Sequence, residues 1–228
     1  MCEKRGIFRV MSLNDKKFSS IIKKLIEFKS GVTIVPIKDT SWEELIWATL
    51  VFMYGDNNVD WDSQSHEKSV DIKARINKRK IRISAKAGII KNNTLTVSSY
   101  RLTTFDKLQD KLDFIENQHN NFDFYLICAR EIDKANEAVN YLVIKTPSAK
   151  FAPAEMLNVK NWKRTKGGYE LNGGERLKAK IVSKMSNQLW YSISLNYFTG
   201  GEKLISVSVP FKDLGKGLID FLAKQKFK

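Results

Sequence analysis

The sequence predicts an α/β protein with a mixed central β-sheet flanked by helices. Polar and apolar side chains alternate through residues 70–86, as in half-buried strands. Two apolar runs, residues 122–130 and 141–145, are typical of buried strands that complete such a sheet. Apolar residues at helical spacing predict three helices, which cover residues 16–29, 41–54 and 104–117.

The segment 70–86 predicts a β-hairpin with one apolar and one polar face. In its first strand the apolar positions 70, 72, 74 and 76 share one face, so Asp71 lies on the other. The polar residues 77–80 fit a turn, and in the second strand Ser84 and Lys86 point to the side of Asp71. Any antiparallel register that keeps the apolar faces together then brings Asp71 beside Ser84 or Lys86. A solvated edge hairpin with a basic face shows the same alternation, and this is the alternative reading.

The residues after the hairpin favour a functional reading. Ala87 and Gly88 interrupt the strand, Asn92 and Asn93 form a turn, and a further strand follows over residues 95–102. That strand carries small, aromatic and basic side chains suited to contact with DNA, namely Ser98, Ser99, Tyr100 and Arg101.

Over roughly residues 40–105 the chain resembles the PD-(D/E)xK nucleases, in particular the type II restriction endonucleases of bacteria. Asp71 stands where that family has its metal-binding aspartate, and residues 84–86, Ser-Ala-Lys, stand where it has the (D/E)-x-K tripeptide. Residues 97–102 are similar to the segment that often follows the catalytic lysine. The chain departs from the pattern at Ser84, because a hydroxyl is a much weaker ligand for Mg²⁺ than a carboxylate.

The resemblance also points to a glutamate on the helix before the aspartate strand. In the predicted helix 41–54 the acids are Glu43 and Glu44. Ser41 followed by Glu44 also fits a capping box, which would give Glu44 a purely structural role. Between the two acids, Glu44 is the predicted metal ligand.

The resemblance implies Mg²⁺-dependent hydrolysis of a phosphodiester bond. Asp71, the main-chain carbonyl of Ala85 and Glu44 would hold the ion, which polarises a phosphoryl oxygen and activates a water. Lys86 would orient or deprotonate that water and stabilise charge on the phosphate, and Ser84 would hydrogen-bond a metal-held water.

Composition fits a polyanionic partner. The chain has 39 Lys plus Arg against 25 Asp plus Glu, for a formal charge of +14. It lacks an 18-residue apolar run and a secretory signal, so neither a membrane span nor export is expected. Its two cysteines, Cys2 and Cys128, form no disulfide framework, which favours a cytoplasmic protein. His66 and His119 are read as ordinary loop or helix residues.

The predicted organisation is one endonuclease domain over residues 1–228. Residues 40–146 form its catalytic core, and residues 147–228 are expected to contact DNA and to form the dimer contact, with Lys163 and Arg164 as DNA-binding residues. By resemblance the expected function is a homodimeric type II restriction endonuclease acting on a palindromic site in double-stranded DNA. The alternatives are a catalytically inactive DNA-binding protein, in which Asp71 and Lys86 form a structural ion pair, and a repair or recombination nuclease.

Overall fold

The computed structural model describes residues 13–61, 70–171, 174 and 176–225. Its helices are α1 (Asp15–Gly31), α2 (Asp39–Tyr54), α3 (Leu108–His119), α4 (Ala154–Leu157) and α5 (Lys216–Lys224). Its strands are β1 (Val59–Trp61), β2 (Ile72–Ile76), β3 (Arg79–Lys91), β4 (Thr94–Arg101), β5 (Phe124–Asp133), β6 (Ala138–Pro147), β7 (Trp162–Thr165), β8 (Gly168–Leu171), β9 (Leu177–Val182), β10 (Gln188–Ser194) and β11 (Lys203–Pro210).

All strands of the described residues join one mixed sheet, in the order β11-β6-β5-β3-β4-β10-β9-β8-β7, with β2 and β1 attached beside β3. Strands β3 and β5 run parallel, and the other pairs are antiparallel. The predicted mixed α/β fold is therefore confirmed. The C-terminal third, strands β7 to β11, continues the same sheet.

The candidate site lies at a fork in the sheet, which is the place where one edge of β3 changes its partner from β2 to β4. One edge of β3 pairs with β2 up to Ile83 and with β4 from Gly88 onward. Residues 84–87 lie between the two partners, and on this edge their backbone groups have no ladder partner from either strand. The opposite edge of β3 is paired with β5 throughout this stretch.

Two tight turns set the register around the fork. Asn77 and Lys78 both have positive φ, 48° and 66°, and join β2 to β3 in a two-residue loop. The turn is shorter than the predicted 77–80, because β3 already begins at Arg79. Asn92 and Asn93, with φ of 50° and 58°, join β3 to β4 in the same way.

The sheet separates two hydrophobic cores. Helices α1 and α2 cover one face, where they pack on alternate residues of the central strands such as Ile83 and Ala85. Helix α3 and the outer strands enclose the other core, which receives the intervening residues such as Tyr125 and Ile127. This alternation is what buried strands with two covered faces require.

Helix boundaries differ from the sequence expectation in one place that matters for the site. Helix α2 begins at Asp39, two residues before the predicted start, with Lys38 as N-cap and no capping side chain. Ser41 therefore lies inside the helix, and the predicted capping box with Glu44 is wrong. Helices α1 and α3 fall close to the predicted 16–29 and 104–117.

Candidate active site

Asp71 lies at the entrance of the fork, and one of its carboxylate oxygens contacts all the other candidate residues of β3. Its Oδ2 accepts hydrogen bonds from the Ala85 backbone N–H at 2.7 Å and from Ser84 Oγ at 3.1 Å. Lys86 Nζ lies 3.4 Å from the same oxygen. The side chains of Lys86 and Asp71 remain 23% and 22% exposed, so both are accessible to solvent. The structure thus brings together Asp71, Ser84, Ala85 and Lys86.

The local reason for this arrangement is the interrupted β-ladder. Unpaired backbone donors that are shielded from water need partners. In the fork, the Ala85 N–H donates to the Asp71 carboxylate, and the Ala87 N–H donates to Asp39 Oδ1 at 2.9 Å. Two carboxylates are therefore held at the fork by main-chain donors. Asp39 was not among the predicted site residues. The only signal that the sequence offers for it is its position just before the predicted helix 41–54.

The main-chain carbonyl of Ala85 points into the same fork. In a strand, the N–H and C=O of one residue face the same edge, and the Ala85 N–H faces Asp71. A carbonyl oxygen and the Asp71 carboxylate are thus offered to the same space. Both are hard oxygen donors of the kind that Mg²⁺ prefers.

Helix α2 contributes Glu43 to this space and turns Glu44 away from it. Glu44 forms an ion pair with Lys29 Nζ at 3.0 Å on the protein surface. Glu43 Oε2 accepts a hydrogen bond from Trp61 Nε1 at 3.3 Å and faces the fork. Asp39 and Glu43 lie four residues apart and so share one helix face, whereas Glu44 is displaced by about 100°. The structure therefore places Glu43 beside the fork and the predicted Glu44 away from it.

The electrostatics of Glu43 reflect this position. Burial raises the pKa of the Glu43 carboxyl, and the nearby charges of Asp71 and Asp39 raise it further. The hydrogen bond from Trp61 and the charge of Lys86 act in the opposite direction and lower that pKa. A cation bound between Glu43 and Asp71 would favour the ionised form of the Glu43 carboxyl and would lower its pKa.

The donor set fits a hard divalent cation. Asp71, Glu43 and the Ala85 carbonyl supply oxygen only, with no thiol or imidazole among them. Within the ranges that the structure describes, no three carboxylate, imidazole or thiol side chains already converge as a metal-binding group. His66 lies outside those ranges. His119 is buried in the second core, where its Nδ1 donates to the Ile115 carbonyl at 2.7 Å, and burial lowers the pKa of its imidazole to about 4.

The predicted DNA-contact strand is only partly available to a ligand. The pairing of β4 with β10 shifts between Ser98 and Arg101, which marks a bulge at residues 99 and 100. Ser99 Oγ and the Tyr100 hydroxyl are buried there, and the Tyr100 ring packs edge-on against Phe114. Ser98, Ser99 and Tyr100 are partly buried, with the hydroxyls of Ser99 and Tyr100 turned inward, whereas Arg101 is exposed.

A basic cavity of about 250 Å³ lies beside the N-terminus of α3. Arg164 and Lys166 from the β7–β8 hairpin line it together with Lys111. Lys111 is 2% exposed and donates to the Phe105 carbonyl, and burial lowers the pKa of its ammonium group. Asp106 adds one carboxylate to the lining. Of the two predicted basic residues of β7, Arg164 lines this cavity and Lys163 is exposed in the same strand.

No protein-family model matches the chain, and no curated protein matches it by sequence. A solved structure described as a restriction endonuclease in complex with substrate DNA is similar to it over 92% of this chain and 92% of that chain, with 16% sequence identity and a TM-score of 0.39. Among the described residues, no helix has the length and apolar character needed to cross a membrane.

Proposed function

We propose that this protein is a Mg²⁺-dependent type II endonuclease that hydrolyses phosphodiester bonds at a specific site in double-stranded DNA. The observation that carries the proposal is the fork between β2 and β4, where Asp71, the Ala85 carbonyl and Lys86 meet with Glu43 of α2 facing them. Metal-assisted hydrolysis of a phosphodiester needs oxygen ligands that hold the cation and a positive group that stabilises charge on the phosphate.

Each residue of the fork has a separate task in this proposal. Asp71, Glu43 and the Ala85 carbonyl would hold the cation, which when bound supplies Lewis acidity to a phosphoryl oxygen and lowers the pKa of a water. Lys86, released from Asp71, orients the attacking water and stabilises the charge that develops on the phosphate. Ser84 Oγ, which donates to Asp71 Oδ2, fixes the direction of that carboxylate.

The charge distribution supports DNA as the polyanion. The formal charge of +14 favours binding to a phosphate backbone. Arg101 and Lys163 are exposed, and the cavity lined by Arg164, Lys166 and Lys111 has the size and charge to take a backbone phosphate. In this proposal two copies of the chain bind a palindromic site, so that each active site cuts one DNA strand. The proposed location of the protein is the cytoplasm.

A second candidate function has one observation in its favour. Lys86 and Asp71 already form an ion pair at 3.4 Å, which would also suit a catalytically inactive DNA-binding protein. The two functions differ in their response to metal, because binding to the backbone depends on salt and needs no Mg²⁺.

The test is to incubate the purified protein with a long viral DNA in Mg²⁺ or in EDTA and to separate the products on a gel. We expect discrete fragments with Mg²⁺ and intact DNA with EDTA, and end mapping then gives the recognition site. Retarded but intact DNA in both lanes would favour the binding protein. Broad, structure-dependent cutting would instead indicate a repair or recombination nuclease.

A further inference from the structure

The C-terminal helix α5 is amphipathic, and its apolar side faces outward. None of its nine residues is buried. Leu218, Ile219, Phe221 and Leu222 are exposed by 51%, 69%, 60% and 53%. A helix this short is not stable in water through its own hydrogen bonds, and in folded proteins such helices depend on packing of their apolar face. The exposed side of α5 therefore requires a cover.

Helix α5 is fixed beside the end of α1 by close backbone contacts. The Gly215 N–H donates to the Ser30 carbonyl at 3.0 Å. A Cβ on Gly217 would come within 2.9 Å of the Gly31 carbonyl oxygen, and Gly215 adopts φ of +69° against Ile34. These two glycines let the helix approach the chain closely, so its exposed side is held in a defined position.

Further apolar side chains extend the exposed surface of α5. Phe28 is 67% exposed and lies on the same face of α1 as Gly31, three residues later. Ile34 and Val35, which follow α1, are 75% and 52% exposed. The α1–α5 apolar face is defined here as these side chains together with those of α5: Phe28, Ile34, Val35, Leu218, Ile219, Phe221 and Leu222.

The size of this face indicates what covers it. Its seven side chains expose on the order of 750 Å², which is above the roughly 300–600 Å² of the largest apolar patch on a typical monomer. It is close to the roughly 800 Å² that each partner contributes to a standard protein interface. We propose that a second copy of this chain covers the α1–α5 apolar face, in a two-fold interface where each α5 packs on the α1–α5 apolar face of its partner.

A second copy fits this surface better than the other partners of the proposed function do. DNA is a polyanion, and its backbone gains nothing from an aliphatic and aromatic surface. A self-complementary apolar patch buries the same residues on both sides and needs no attraction between two chains that each carry +14. The inference rests on the dimer of the proposed function and is independent of its chemistry.

The test compares the mass of the full chain in solution with that of two matched variants, by sedimentation equilibrium at micromolar concentration. Phe221→Asp places a charge in the α1–α5 apolar face, and Phe52→Asp places one on a 71% exposed phenylalanine of α2. We expect the wild type and Phe52→Asp to have the mass of two chains and Phe221→Asp the mass of one. A monomeric wild type, or a Phe221→Asp variant that stays dimeric, would overturn the inference.

A crosslinking experiment gives the same answer if Phe221→Asp does not fold. In a Cys2→Ser background, Ile219→Cys carries a thiol at a position of α5 that is 69% exposed, whereas Cys128 is fully buried and burial raises the pKa of its thiol to about 12. A short bismaleimide is expected to join two Ile219→Cys chains and to leave Phe52→Cys chains single, and equal yields for both would contradict the interface. DNA cleavage is recorded in parallel: cutting by a monomer would refute the interface alone, and a dimer through this face without cutting would refute the nuclease alone.

Discussion

Lys86→Ala is expected to reduce DNA cleavage by on the order of 10³-fold, because its ammonium group lies beside Asp71, where it can stabilise charge on the reacting phosphate. Asp71→Asn is expected to have an effect at least as large. It keeps the shape of the side chain but removes the charge that would hold the cation, while its amide oxygen can still accept from the Ala85 N–H. The measurement is the single-turnover rate of cleavage in Mg²⁺.

The controls for these variants separate chemistry from DNA binding. Lys91→Ala removes an exposed lysine at the far end of the same strand β3, and its cleavage rate is expected to stay close to that of the wild type. DNA affinity of the Lys86→Ala and Asp71→Asn proteins, measured by fluorescence anisotropy, is expected to change little, since most of it comes from the wider basic surface. A normal cleavage rate in either variant would exclude the fork as the catalytic centre.

Glu43→Gln and Glu44→Gln are a matched pair of variants that tests which of the two glutamates of α2 binds the cation. Glu43→Gln is expected to lower the cleavage rate by on the order of 10²-fold and to raise the Mg²⁺ concentration needed for half-maximal rate. Glu44→Gln removes only the surface ion pair with Lys29 and is expected to leave both quantities unchanged. The reverse order of effects would restore Glu44 as the ligand.

Glu43→Gln is also expected to change the thermal stability of the protein. Because burial and the Asp71 charge raise the pKa of Glu43 in the folded protein, its ionised form is the less stable one. The stability that this group contributes is present below its unfolded pKa and is lost as pH rises through the raised pKa. Without divalent cations, Glu43→Gln is therefore expected to melt at a higher temperature than the wild type at pH 8, with the difference shrinking toward pH 4. A lower melting temperature at pH 8 would contradict this assignment.

The hairpin and its polar face could be predicted from the sequence because strand alternation has a fixed period of two. Once the apolar positions of β2 and β3 are assigned to the core, Asp71, Ser84 and Lys86 must share the opposite face, and the hydrogen bonds to Asp71 Oδ2 have this geometry. The fork itself was not predictable, since it depends on where β2 stops and β4 starts along β3.

The choice between Glu43 and Glu44 required the rotational phase of a helix that is apolar on nearly all sides. Such a sequence does not show which side faces the sheet, and the apparent cap at Ser41 misplaced the helix start by two residues. The inward direction of the Ser99 and Tyr100 hydroxyls could not be predicted for a related reason. A bulge adds a residue to the strand, so the simple alternation of faces no longer holds beyond it.

The most direct test of the central claim, that the fork is a divalent cation site, uses Tb³⁺, a luminescent ion that prefers oxygen ligands as Ca²⁺ and Mg²⁺ do. Trp61 donates to Glu43 at 3.3 Å, so an ion held by Glu43 and Asp71 lies close enough for energy transfer from the indole ring. We predict tryptophan-sensitised luminescence that Mg²⁺ displaces, that Trp61→Phe weakens and that Asp71→Asn abolishes. Luminescence that is absent from the wild type, or that is unchanged in Asp71→Asn, would contradict the account.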